Sequence, residues 1–482
     1  MATAPLFTQI IGIMLMPVVT RLYTPEAFGG FSVFGAILMP ICILATMGYS
    51  GSIVVSENDE IAANMLIVCL AFTGIITILT MLLCWFGSDL IFRWLKVAEL
   101  KAYLWMLPVS VFLYGLQTSL LSWNLRKKRF GRISISKISL ALSNKGILIS
   151  AGFSGFATTG SLLLGGIAGS MTMSGVLGGK IRQESGQLFK RSIRWRYMVQ
   201  GVKRHRKFPM YNLGTEFISR LASLMTVYLL TLYFSKSSVG YYGLGVAVLS
   251  VPATFIGSSI ANVFYQKAAA AKSRDSQASD VESLFRRMTW MSMLLFLLIA
   301  VIGDNTFAFV FGVKWTEAGV YSQILSFSIF VSFVMSPAAT LINVLEKQEV
   351  NLILSIVLTI SSFISIMIGG LSHNIYLALA LFSLFNGLAS FGAGLFMIHC
   401  TGLPISRIFN ILFRCFITCA PIIIALASAK WYFGVSFLSI IIISVIGCII
   451  FYAKLLKDDK VLRSLVTSVF LNVMSYVKKI VR

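Results

Sequence analysis

Residues 180–207 read KIRQESGQLFKRSIRWRYMVQGVKRHRK, ten Lys or Arg against one acid, Glu184, in a chain that is otherwise largely apolar. So charged a stretch does not enter a bilayer, and short basic segments beside hydrophobic ones stay on the cytoplasmic side. It reads as a cytoplasmic strap between two halves. The next segment, FPMYNLGTEFISRLASLMTVYLLTLYF (208–234), has membrane-spanning length yet carries Glu216 and Arg220, four residues apart on one helical face.

Outward from the strap the chain is hydrophobic. Of its 482 residues 57% are hydrophobic and 12% charged, with a mean hydropathy of +0.87; soluble domains carry about 25% charged residues. The fold class expected is all-α, a polytopic membrane protein. The net charge of +23 does not call for a nucleic-acid partner, because the Lys and Arg gather in particular loops, as positive-inside topology requires.

A spanning helix needs about 20 apolar residues. Fourteen segments qualify: 3–20, 28–50, 61–85, 102–123, 133–152 and 154–179 before the strap, then 208–234, 240–266, 287–303, 318–345, 349–371, 374–400, 405–429 and 432–453. With both termini cytoplasmic, the inner loops hold 29 Lys and Arg, the outer segments seven, and the spans four. That asymmetry sets the orientation. The fifth segment contains two lysines and Asn144, and the sixth is crowded with Gly, Ser and Thr. Losing both would leave twelve spans in the same orientation. The organisation expected is a six-helix half at 1–179, the linker 180–207, a second six-helix half at 208–400, two added spans at 401–453, and a basic amphipathic tail at 454–482. The linker and tail also read as contacts for anionic lipid.

An internal repeat divides the chain. LYTPEAFGGFSVFG (22–35) and LYFSKSSVGYYGLG (232–245) share Leu-Tyr, a short polar turn and Gly-aromatic, at an offset of about 210 residues. WNLRKKRF (123–130) and INVLEKQEV (342–350) hold corresponding positions six spans apart. An even displacement preserves orientation, so the repeats are parallel and related by an axis along the membrane normal, as in secondary transporters. Together with TRLYTPEAFGGFSVFG (20–35), VGYYGLGVAVLSVPATFIGSSIANVFYQKAA (239–269) and FGVKWTEAGVYSQIL (311–325) followed by Pro337, these features make the chain resemble the polysaccharide-exporter branch of the superfamily that also holds multidrug-extrusion transporters and peptidoglycan-precursor flippases. The resemblance implies a V-shaped pair of six-helix bundles with two extra C-terminal helices. It also implies translocation of a lipid-linked oligosaccharide, typically an undecaprenyl-pyrophosphate O-antigen or capsule repeat unit, across a bacterial inner membrane. No catalytic residue carries over.

Ionisable residues at membrane depth cost about 2.5–3.5 kcal/mol each on insertion scales and are functional candidates by default. Lys137 and Arg414 lie near the ends of their segments and can snorkel. Arg220 and Lys145 lie about 12 residues in, roughly 18 Å, past the midplane of a ~30 Å core. Two readings of Arg220 compete: a self-neutralising pair with Glu216, or a cation binding a pyrophosphate or acidic sugar while Glu216 holds it or carries a coupling proton. The guanidinium fork suits phosphate. Lys145 has no acid within a turn, so it needs a remote partner, a wet cavity or a substrate anion. Asn386, mid-segment, is either a helix-packing hydrogen bond or a third substrate contact. Glu216 is the candidate for coupling to a proton or sodium gradient.

The seven cysteines (42, 69, 84, 400, 415, 419, 448) all lie in apolar segments without a CxxC pair, which reads as structural thiols and no metal site. There is no Walker motif or Gly-rich nucleotide loop, so no cofactor is expected. A drug/cation antiporter would carry more acids at depth, and a polysaccharide polymerase or ligase a long external loop; the chain has neither feature. It reads as a flippase rather than an enzyme, with a polymerase and glycosyltransferases as functional neighbours. Cysteines placed at Ser192 and Ser276 should resist an impermeant external label, and one at Ser237 should react; labelling of the first two from outside would invert the orientation.

Overall fold

The computed structural model describes residues 3–95, 98–206, 209, 213–252, 274–336, 348–431, 437–459 and 463. The fold is all-α. In chain order the helices are α1 (Thr3–Leu22), α2 (Pro25–Leu44), α3 (Ser50–Val55), α4 (Asp59–Leu95), α5 (Met106–Arg126), α6 (Phe130–Phe153), α7 (Thr159–Gly178), α8 (Ile181–Ser192), α9 (Trp195–Arg204), α10 (Gly214–Tyr233), α11 (Lys236–Leu249), α12 (Arg274–Phe311), α13 (Thr316–Val334), α14 (Gln348–Leu371), α15 (Ile375–His399), α16 (Ile405–Trp431) and α17 (Phe437–Asp458). Each of the fourteen expected segments meets a helix in its described part. Nine helices among the described residues are long and apolar enough to cross a membrane. Pro337, much of 239–269 and most of the 454–482 tail lie outside the described residues.

The chain divides into two compact units, Met1–Gly240 and Tyr241–Arg482. In the first, α6 packs along α7 and α1, α5 along α4 and α7, and α10 along α2. The small residues of 154–179 serve this packing: a Cβ on Gly165 would strike the Leu148 side chain at 2.0 Å, and one on Gly169 the Leu140 carbonyl at 2.9 Å. Such closeness is how helices gain van der Waals contact where no hydrophobic effect separates them from lipid.

The basic strap folds as α8 and α9, both laid on α4. One side chain fixes the break between them: Asn64 Nδ2 donates to the Ser192 carbonyl (2.7 Å) and Asn64 Oδ1 accepts from the Arg194 amide (3.1 Å). Phe189 packs on Trp123 with ring centroids 5.2 Å apart. Glu184 pairs with Arg132 and Arg129, and the hydrogen bond from Arg132 holds its carboxyl below the usual carboxylate range. Ser192 is only 4% exposed, so exposed Gln187 is the better reporter of this loop's side.

In the second unit α12 and α13 form the most extensive pair, α15 packs on both α13 and α14, and α16 and α17 pack against α12. Helix α12 breaks at Ile302, whose torsions (φ −120°, ψ 20°) are not helical. Beside the break, a Cβ on Gly319 of α13 would meet the Gly303 carbonyl oxygen at 2.4 Å. Glycine is what lets the two backbones touch there. The Val301 carbonyl just before the break accepts from Lys430 Nζ (2.9 Å) and Gln323 Nε2 (3.2 Å). Lys430 also donates to both carboxylate oxygens of Asp304 (2.7 and 2.8 Å), and Gln323 to one (3.0 Å). One largely buried charge pair thus ties α16 to α12 and α13. Lys430→Met, which strands Asp304, should lower stability in detergent by about 1–3 kcal/mol. Pairing it with Asp304→Leu should recover most of the loss, because an apolar pair leaves no buried charge unmet; thermal unfolding of the three variants reads this directly.

Candidate functional site

The α-helical run carrying Glu216 and Arg220 starts at Gly214, and the described residues just before it, Pro209 and Leu213, are π-helical. A widened turn of this kind is common at functional sites. Measured from Gly214, Arg220 lies ~9 Å along the axis, shallower than counting from residue 208 suggests. Glu216 and Arg220 are both exposed. No ion pair joins them among the described residues, and the charges of both reach the Tyr114 phenol on α5. Helix α10 packs on α2 and touches α4, so the two charges have an adjoining helix face for company.

Lys145 is half-buried on α6, and its ammonium lies 3.7 Å from the thioether of Met16 on α1. A thioether is a weak acceptor, which leaves this deep cation poorly satisfied by protein. Helix α6 packs on α7, α1 and α5, whereas α10 packs on α2 and α4. Arg220 and Lys145 therefore belong to one unit but stand on helices with different main neighbours. In the second unit, Asn386 Nδ2 donates to the Phe382 carbonyl (2.9 Å) and to Ser362 Oγ (3.2 Å) across the α14–α15 seam. Among the described residues, no group of three or more His, Cys, Asp or Glu could hold a metal; Cys42, Cys69, Cys415 and Cys419 are buried.

The end of the first unit opposite the strap is drawn tight around the repeat motif. A Cβ on Gly29 would lie 2.0 Å from the Lys236 carbonyl oxygen, and one on Gly240 would lie 2.0 Å from the Pro25 carbonyl oxygen. The contact is reciprocal: Pro25 corresponds to Lys236 as Gly29 does to Gly240, at the offset of the sequence repeat. Reciprocal contact is the mark of a two-fold relation. Around it, Ser237 donates to Glu26, Thr159 Oγ1 donates to the Ala27 carbonyl (3.1 Å), and the Tyr23 hydroxyl meets the Leu148 carbonyl (2.9 Å) and Ser161 Oγ (3.0 Å). Buried polar groups are thereby satisfied where α1, α2, α6 and α7 converge.

Two features of the second unit escaped the sequence reading. One is the Asp304–Lys430–Gln323 cluster. The other is an aromatic groove: cavities of about 500 and 240 Å³ share Phe327, Phe330 and Leu412. The larger is continued by Phe409, Phe413 and Phe416 of α16, which are 51%, 64% and 50% exposed. Their i, i+4, i+7 spacing was the available signal, since it puts three rings on one helix face.

With this geometry in view, the likeness to solved structures is clear. The lipid II flippase MurJ in an inward closed conformation superposes with a TM-score of 0.73 at 15% identity, covering 94% of this chain and 98% of that one. An inward-facing multidrug resistance MATE family transporter of the MOP superfamily gives 0.66 at 13% identity, covering 82% and 95%. The Vibrio cholerae MATE transporter VcmN in its bent form gives 0.54 at 12%, covering 83% and 96%. The fold is the one these solved structures share. The chain belongs to the family described as Polysaccharide biosynthesis protein, whose profile matches residues 18–320. No curated protein matches it in sequence.

The glycine contact gives a test of its own. Gly29→Ala or Gly240→Ala puts a methyl inside the facing carbonyl, and the helices must part, at about 1–3 kcal/mol. A cysteine at Ala27, 7% exposed, should then be labelled several-fold faster than in the parent. Unchanged labelling would mean that α2 and α11 do not control access at this end.

Proposed function

We propose that the protein is a flippase that moves a lipid-linked oligosaccharide, an undecaprenyl-pyrophosphate O-antigen or capsule repeat unit, across the bacterial inner membrane by alternating access. The observation that carries this reading is the state of Arg220: an exposed cation within the first two turns of α10, one turn from Glu216 and joined to it by no ion pair among the described residues. A charge in that setting needs an anion or water, and a guanidinium fork matches pyrophosphate oxygens two at a time. Lys145, left against a thioether, supplies a second cation. Asn386 is the third proposed contact, through what its amide retains beyond Ser362. The second unit separately carries an aromatic groove of the chemistry a polyprenyl chain takes. Membership of a polysaccharide biosynthesis family and the likeness to a lipid II flippase support the substrate class.

Charge asymmetry supports a cytoplasmic strap and cytoplasmic termini, with glycosyltransferases and a polymerase as the proposed functional neighbours. Glu216 is the proposed coupling residue, as the exposed acid one helical turn from the cation proposed to hold the substrate. A multidrug antiporter is the competing reading, supported by the likeness to MATE transporters. The exposed Arg220 favours an anionic cargo over a cationic one.

In proteoliposomes holding an undecaprenyl-pyrophosphate oligosaccharide, Arg220→Ala should cut flipping at least tenfold at equal protein insertion, and Arg220→Lys should restore only part of it. Glu216→Gln should flip at a rate indifferent to an imposed pH gradient that accelerates the parent. Full flipping by Arg220→Ala would reduce the residue to a structural role, and a gradient-driven Glu216→Gln would remove Glu216 from coupling.

A further inference from the structure

Helix α5 has two accessible sides. One is apolar and marked by Phe112, 44% exposed. The other stands roughly 140–160° around the helix from Phe112 and holds Ser110, Tyr114 and Gln117, at i, i+4 and i+7, all half-buried. Polar side chains at membrane depth are sustained by partners or by a wet cavity, not by lipid. On the packed sides of α5 the partners are present: Ser119 donates to the Gly115 carbonyl, and Asn124 to the Leu120 and Leu177 carbonyls. The Ser110 hydroxyl and the Gln117 amide have none among the described residues. Gln117 stands near the middle of the 21-residue helix, with two donors and an acceptor uncommitted.

The charges of α10 lie level with this stripe. The glycine contact holds the start of α2 against the start of α11, which follows directly on α10. Helices α2 and α10 pack together and are both 20 residues long. The first two turns of α10, with Glu216 and Arg220, therefore stand beside the last turns of α2. There the Tyr114 ring packs with Cys42, Ala45 and Val111, and the charges of Glu216 and Arg220 both reach its phenol.

We infer that Ser110, Tyr114 and Gln117 form the sugar-recognising wall of the Arg220 site. With the pyrophosphate on Arg220, the first sugars of the cargo lie along α5, an uncharged ring on the Tyr114 face and its hydroxyl or acetamido groups on Gln117 and Ser110. The inference rests on the flippase reading and supplies the sugar contacts that reading lacks. The chemistry matches. Between Met106 and Leu125 α5 has no charged side chain, so the wall offers hydrogen bonds without net charge, as suits a neutral sugar. A carboxamide donates and accepts at once, which fits vicinal hydroxyls or an acetamido group, and a tyrosine presents a flat apolar face with a polar tip. From Ser110 to Gln117 is ~10 Å along the axis, the reach of a disaccharide and not of a single phosphate. A wall built to hydrogen-bond its ligand also rejects an analogue without those groups, because its own polar atoms are then left unpaired.

Native mass spectrometry of the full chain in detergent, titrated with undecaprenyl pyrophosphate and with the same lipid carrying an uncharged disaccharide, tests this. The parent should bind the disaccharide form at least tenfold more tightly. Gln117→Leu and Tyr114→Leu, which keep apolar volume, should each cut that preference to about threefold or less, and the double variant should erase it. Arg220→Ala should weaken both ligands alike and leave the preference standing. The preference is a ratio within one protein, so a loss of folded material does not move it; if Tyr114→Leu does not purify, Gln117→Leu decides alone. A preference unchanged in these variants, or no preference in the parent, would overturn the assignment. An Arg220→Ala that binds both lipids as tightly as the parent would strike the flippase reading itself, and the assignment with it.

Discussion

The starts of α2 and α11 touch backbone to backbone because neither residue at the crossing has a side chain. Gly29 faces the Lys236 carbonyl and Gly240 the Pro25 carbonyl, each at a distance no Cβ could share. Much of the far end of the first unit follows from this closeness. It puts Glu26 within reach of Ser237 and brings the first α2 turn against Thr159, beside the Tyr23–Ser161 bond. In a lipid environment, where apolar side chains gain little by leaving one membrane helix face for another, such a seam holds by van der Waals contact and satisfied polar groups.

Against that closed end, the charges divide into two kinds. Several carboxylates are spent locally: Asp304 on Lys430 and Gln323, Glu184 on Arg132, Asp59 on Arg126 and Lys127, and Asp459 on Arg287. These pairs fasten helices to one another. Glu216, Arg220 and Lys145 are of the other kind: α10 exposes the first two, and α6 leaves the third against sulfur. An unneutralised charge at membrane depth, as at Lys145, is destabilising for a resting protein. Its retention is intelligible where a charged cargo or a proton completes the site during transport.

Much of this was legible in the chain itself. Segment length and the 29-to-7 partition of Lys and Arg rest on membrane thickness and insertion bias, which act on local sequence, and each of the fourteen segments meets a helix in its described part. The repeat was readable because Gly29 and Gly240 serve the same close contact. What stayed hidden depended on partners far apart in sequence. Lys430 and Asp304 each read as an ordinary loop charge, because the break at Ile302 that brings them to one carbonyl is a product of packing against Gly319. Asn386 and Ser362, 24 residues apart, show the same limit. The phenylalanines of α16, by contrast, could have been found by their spacing.

The most direct test of the transport assignment offers two cargoes to one preparation. Proteoliposomes would be loaded in parallel with an undecaprenyl-pyrophosphate oligosaccharide, scored by the accessibility of its sugar to an external glycosidase, and with a cationic dye, scored by gradient-driven release. Rapid appearance of the sugar outside, with dye release no faster than in protein-free vesicles, is the predicted result. Gradient-driven dye release with no movement of the lipid-linked sugar would contradict the flippase assignment and make the chain a cation exporter.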